Sequence, residues 1–186
     1  MRQLTYLAIT VCIGIAPAAR QVYAIDVVGG QTSVVLDTAT LSAAASLTLS
    51  GVSPDVIAPG TLPGSVAFAI TPRSAAVLPT TFAYDLTFPA AGSFSGTIEH
   101  QGSVFFNADA VEVGDFTIGF DGARTGTLGG LASGFFVASN AGIAATLFDL
   151  AVTSASVQPT SLAVGADLLV SPEFGAFLLA NGLSTA

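Results

Sequence analysis

TFAYDLTFPAAGSFSGTIEHQGSVFFNADAVEVGDFTIGF, residues Thr81–Phe120, is the stretch that decides how the rest of the chain is read. Phe82, Tyr84, Leu86 and Phe88 alternate with Ala83, Asp85 and Thr87, and a period of two puts the first set on one side of an extended segment. The rhythm returns in Phe94, Gly96, Ile98 and His100 against Ser95, Thr97 and Glu99, and again in Phe116, Ile118 and Phe120. Each run reads as a strand with one face hidden from water. Pro89-Ala90-Ala91-Gly92, Gln101-Gly102, Asn107-Ala108-Asp109 and Asp121-Gly122 read as the turns between strands.

Upstream of this stretch, Ser33–Asp37 and Ser46–Ser50 read as short strands on either side of an alanine-rich helical turn at Thr38–Ala45. Gly51–Gly64 contains Pro54, Pro59 and Pro63, which bar a central strand and predict a crossing loop before the alternating Val66, Phe68 and Ile70. Within the stretch, Ser103–Phe106 and Val111–Val113 complete the strand series. Downstream, the glycine-rich Thr125–Leu131 reads as a loop, and Phe135–Ala138 and Thr146–Val152 as the last strands. Ser171-Pro172-Glu173 opens a helix carrying Phe174, Phe177 and Leu178, with Gly182 just beyond it. Strands at intervals of about 8–12 residues predict an all-β domain, an antiparallel β-sandwich or partly open barrel closed by one short C-terminal helix.

The N-terminus reads as a leader: Met1-Arg2, then sixteen apolar or small residues from Leu4 to Ala19, then Val22-Tyr23-Ala24 as a small-x-small cleavage pattern. The expected division is a signal peptide over residues 1–24 and a single β-rich domain over residues 25–186, with cleavage after Ala18 as the alternative. The apolar run is shorter than the roughly 20 residues of a membrane-spanning helix, and no later run approaches it, so no transmembrane anchor is expected in the mature chain. Cys12 lies in the leader without the small preceding residue of a lipoprotein signal. Cleavage removes the only cysteine and the only methionine, leaving a core of thirteen phenylalanines with Val, Leu and Ile and no disulfide. That cysteine usage points to an exported bacterial protein, secreted, extracellular, on the cell surface or in the periplasm.

The chain carries four arginines, twelve acids and a formal charge of −8; loss of Arg2 and Arg20 leaves Arg73 and Arg124 against all twelve acids, or −10. Two cations cannot neutralise a run of phosphates, so nucleic acid is not an expected partner. No Gly-x-Ser-x-Gly elbow, phosphate loop or dinucleotide fingerprint is present, and adjacent Glu99 and His100 point to opposite faces of a strand. No catalytic role is expected. Asp109, Glu112, Asp115 and Asp121 lack the alternating spacing of a calcium loop and read as a solvated acidic rim. Edge strands with few charges leave self-association or a cell-surface partner open.

His100 has two readings. One is a partly buried histidine whose ring packs on phenylalanine and hydrogen-bonds a turn carbonyl. The other is an axial ligand to haem iron, for which Tyr84, the only tyrosine left after cleavage, is the available partner.

Phe94-Ser95-Gly96-Thr97-Ile98-Glu99-His100-Gln101-Gly102, with Leu162, Phe174 and Phe177 later, resembles the pattern of HtaA-type domains, secreted bacterial modules that bind haem. The same residues resemble secreted bacterial proteins that carry a PEP-CTERM sorting tail. The likeness spans about residues 82–179 and implies a surface or secreted module. For the HtaA type it also implies a haem site, which transfers here to His100 at most. Two departures stand against full membership: the Trp-Gly-x-Lys-x-Ser-Phe-x-x-Tyr signature has no counterpart in Ser33–Ser50, and no Pro-Glu-Pro segment follows Leu183. The expected function is a non-catalytic structural or binding role, with haem capture through His100 and Tyr84 as the alternative.

Overall fold

The computed structural model describes residues 24–184. The leader, its cleavage patterns before Ala24 and Cys12 lie outside the described residues.

The strands are β1 Ile25–Asp26, β2 Gln31–Val34, β3 Leu49–Val52, β4 Val66–Ala69, β5 Ala83–Tyr84, β6 Phe94–Ser95, β7 Ile98–Glu99 and β8 Ser103–Phe106. They continue as β9 Val111–Gly114, β10 Thr117–Phe120, β11 Phe135–Ser139, β12 Ala141–Gly142, β13 Ala145–Gln158 and β14 Ser161–Val170. Helix α1 is Thr38–Ala45, a single turn α2 is Thr127–Gly130, and α3 is Pro172–Ala180. Every strand pairing is antiparallel. One sheet runs β14-β13-β11-β10-β7 and a second β12-β9-β8-β3, with smaller sheets β1-β5-β6 and β2-β4. The all-β expectation holds, including the closing helix.

Burial falls into two clusters. Leu47, Phe68, Val104, Phe106, Val113 and Leu147 form the first with Phe174 and Leu178 of α3. Phe82, Tyr84, Phe88, Phe135 and Leu150 form the second, with Phe94, Ile98 and Ile118 packed against them. Its rings meet mainly edge-on or tilted, as in Phe88–Phe94 at 5.4 Å and Phe82–Phe88 at 6.1 Å, the arrangement that sets a positive ring edge on a negative face. β13 supplies Leu147 to one cluster and Leu150 to the other.

Local chemistry trims several expected strands. The strand expected over Phe82–Phe88 is regular only at Ala83–Tyr84; past Tyr84 the Asp85 carboxylate accepts from the Thr87 amide at 2.7 Å and folds the chain into a turn. Leu86 is thereby turned into solvent, not onto the buried face. Phe94–His100 is broken at Gly96, whose φ is +79° and whose missing Cβ would sit 2.5 Å from the Thr81 carbonyl oxygen. Only glycine passes the neighbouring chain that closely, and the strand resumes as β7.

The two upstream strands sit a few residues from their expected places, at β2 and β3, while α1 has the expected bounds. Its cap is Asp37, whose carboxylate accepts from the Thr40 amide and hydroxyl, and these bonds hold its pKa below the usual range. Thr125–Leu131 contains the turn α2. β13 runs six residues past Val152 and turns through Pro159-Thr160 into β14, a strand not foreseen.

Candidate functional site

His100 stands where the five-stranded sheet meets the β2-β4 pair. Its backbone forms an isolated bridge with Ile70, just past β4, and its amide donates to the Phe116 carbonyl at 2.9 Å. The side chain is 2% exposed. Nδ1 lies 3.0 Å from that same Phe116 carbonyl oxygen and Nε2 lies 2.7 Å from Thr32 Oγ1. A carbonyl only accepts, so Nδ1 carries the proton and Nε2 accepts from the Thr32 hydroxyl. Burial lowers the imidazole pKa below its ordinary value, against smaller upward pulls from the Phe116 carbonyl and the Glu99 charge. The ring is a neutral clasp between β2 and the chain entering β10. The carbonyl bond expected of it is present, but the ring is fully buried where partial burial was expected.

Tyr84 is also buried, but elsewhere. Its hydroxyl donates to the Gln158 carbonyl at 3.2 Å, at the tip of the β13-β14 hairpin, and its ring stands edge-on to Phe88. It pairs with Phe94, whereas the Thr80 hydroxyl beside Glu99 marks the end of the same ribbon where His100 lies. The side-chain hydrogen bonds of the two residues share no partner. An iron on His100 would have to displace either the Phe116 carbonyl or the Thr32 hydroxyl.

Glu99 is buried too, and its side chain bonds a different partner from those of His100. Its carboxylate accepts from the Thr117 hydroxyl at 2.5 Å, while the Thr80 hydroxyl accepts from its amide at 3.0 Å. Of the acidic rim, Glu112 accepts from the Ser103 hydroxyl at 2.7 Å, Asp115 from the Gly102 amide at 3.1 Å, and Asp121 from the Ala123 amide at 2.9 Å. Among the described residues no three His, Cys, Asp or Glu side chains are grouped as metal ligands.

Sequence reasoning missed a charged assembly at the base of α3. Asp149 on β13 is 1% exposed, and Arg124 reaches it through one guanidinium nitrogen, at 3.0 and 3.2 Å from the two carboxylate oxygens. The other terminal nitrogen bonds Glu173 in the first turn of α3. Burial opposes the Arg124 charge, but its bonds to Asp149 and Glu173 outweigh that and raise its pKa above the ordinary value. Burial likewise pulls Glu173 up, and its backbone bond and Arg124 together bring it lower than usual. The available signal was Asp149 itself, a lone acid amid Leu147, Phe148 and Leu150.

Two open clefts complete the picture. One, of about 570 Å³, has Asp109, Glu112 and Asn181 around Ile143, Phe177 and Leu183. The other, of about 280 Å³, lies beside Tyr84, Asp85 and Phe94. Neither contains His100. Among the described residues no helix is long and apolar enough to cross a membrane.

No family model, curated protein or solved structure matches this chain.

Proposed function

We propose that this chain is a non-catalytic structural or binding module of an exported bacterial protein, working at the cell surface or outside the cell. One observation carries the reading: the side chains best suited to chemistry are used to fasten strands together. His100 ties Phe116 to Thr32, Glu99 ties Thr117 to its own strand, and Arg124, bonded to both Asp149 and Glu173, ties α3 to β13. A general base or metal ligand needs a free lone pair aimed at a reactant, and both nitrogens of the imidazole are engaged. The leader-like first residues and the resemblance to secreted PEP-CTERM-type proteins support export.

The test has two arms. Expressed in a bacterial host with its leader, the protein should be recovered outside the cytoplasm beginning at Ile25; retention inside at full length contradicts export. Haemin titrated into the purified protein should give no saturable Soret shift. A saturable shift abolished by His100→Ala would replace this reading with haem capture.

A further inference from the structure

β14 borders the five-stranded sheet, pairing with β13 on one side and with no strand on the other among the described residues. The register puts Leu162, Val164, Ala166, Leu168 and Val170 opposite Val157, Ala155, Val152, Leu150 and Phe148, so these five share one face. Val152, Leu150 and Val157 belong to the second cluster, and the apolar face of that cluster therefore runs on into β14. There it meets water: Val164 is 44% exposed, Leu168 39% and Val170 50%. Ser161, Ala163, Gly165, Asp167 and the half-buried Leu169 lie on the opposite face. The strand has no proline or lysine, the usual guards of an open edge, and Asp167 is its only charge.

We infer that β14 pairs antiparallel with β14 of a second copy, joining two five-stranded sheets edge to edge about a two-fold axis at Ala166. The occupant follows from the strand's self-complementarity. In that register Val164 faces Leu168 of the other copy, Leu162 faces Val170, and Ala166, the smallest of the five, faces itself. The charge pattern fits as well, because Asp167 falls opposite Gly165 and the two carboxylates are never directly opposed. A two-fold axis normal to the sheet keeps both apolar stripes on one side, where cross-strand contact covers them. A strand about 33 Å long, covering a strip some 10 Å deep on each copy, buries roughly 700 Å² in total. That is below the ~1,200 Å² of stable interfaces, so the dimer is weak and forms at micromolar concentration.

Sedimentation equilibrium of the purified protein from about 2 to 200 μM should show the average mass rising from monomer towards dimer. Val164→Lys with Leu168→Lys puts lysine against lysine and should weaken association at least tenfold; Val164→Glu with Leu168→Glu should do the same. Mixing the two should restore a dimer, now mixed, since each lysine meets a glutamate. Far-UV circular dichroism checks that both variants keep the sheet. A protein that stays monomeric at 200 μM, or charged variants that associate as the parent does, would overturn the pairing. Failure of the mixture to associate would overturn the register.

Discussion

Comparing Arg124→Leu with Glu173→Gln separates the effect of burial on an ion pair, because the same guanidinium holds one carboxylate in the interior and one at the surface. Asp149 is 1% exposed and receives two hydrogen bonds from Arg124, whereas the Glu173 side chain is 48% exposed. Arg124→Leu leaves Asp149 as an uncompensated buried charge, a loss worth about 3–5 kcal/mol. The contact of Arg124 with the Phe136 ring, 5.5 Å from its centroid, adds about 0.5–1 kcal/mol. Glu173→Gln removes a pair largely in solvent and costs about 0–1 kcal/mol. In urea, with a slope near 2 kcal/mol/M, the midpoint should fall by about 1.5–3 M for the first variant and by less than about 0.5 M for the second. Arg124→Leu with Asp149→Leu should recover most of the loss, since no charge is then stranded. Equal costs for Arg124→Leu and Glu173→Gln, or a double variant no better than the single, would refute the reasoning.

Other substitutions test the smaller joints. Gly96→Ala must hold a side chain at φ +79° against the Thr81 carbonyl and should cost about 2–4 kcal/mol, measured by thermal or urea unfolding. Ser171→Ala deletes the hydroxyl that accepts from the Phe174 amide at 3.0 Å and donates to the Thr146 carbonyl at 2.7 Å; the loss should be about 1–2 kcal/mol, with hydrogen exchange accelerated in α3. His100 titrates lower in the folded protein than in the unfolded chain. The unfolded state therefore takes up the proton first as pH falls through about 6.5, and stability, full above that pH, declines below it by up to ~1.4 kcal/mol per pH unit. His100→Gln should flatten the pH 5.5–7.5 segment of the stability profile.

What the sequence discloses of this fold is set by side-chain contrast. Val66–Ala69 and Ser103–Phe106 were legible because large apolar residues there sit between glycines, prolines and polar turns. α3 was legible through Ser171-Pro172-Glu173, where the hydroxyl cap and the proline at the helix start act locally. β14 was not, because Ala163, Gly165 and Ala166 mute the alternation that Leu162, Val164 and Leu168 would otherwise announce. The breaks at Asp85 and Gly96 escaped for a different reason. A period of two continues through them in the sequence, and only a hydrogen bond to Thr87 and the passage of Thr81 interrupt it.

At the candidate site, the single histidine and its two readings could be named from the sequence. Its partners could not, since Thr32 and Phe116 reach it from distant strands. The same holds for Arg124 and Asp149, which meet only when β13 lies across the turn after β10.

The fastening role of the one imidazole is tested most directly by ¹⁵N NMR of its ring, which needs no assignment because the chain contains a single histidine. The expected spectrum has a protonated Nδ1 and a bare Nε2 at pH 7, a midpoint below 6.5, and no change on adding one equivalent of haemin. A ring that titrates at or above 6.5, or whose nitrogen signals are lost or displaced by haemin, would contradict the account.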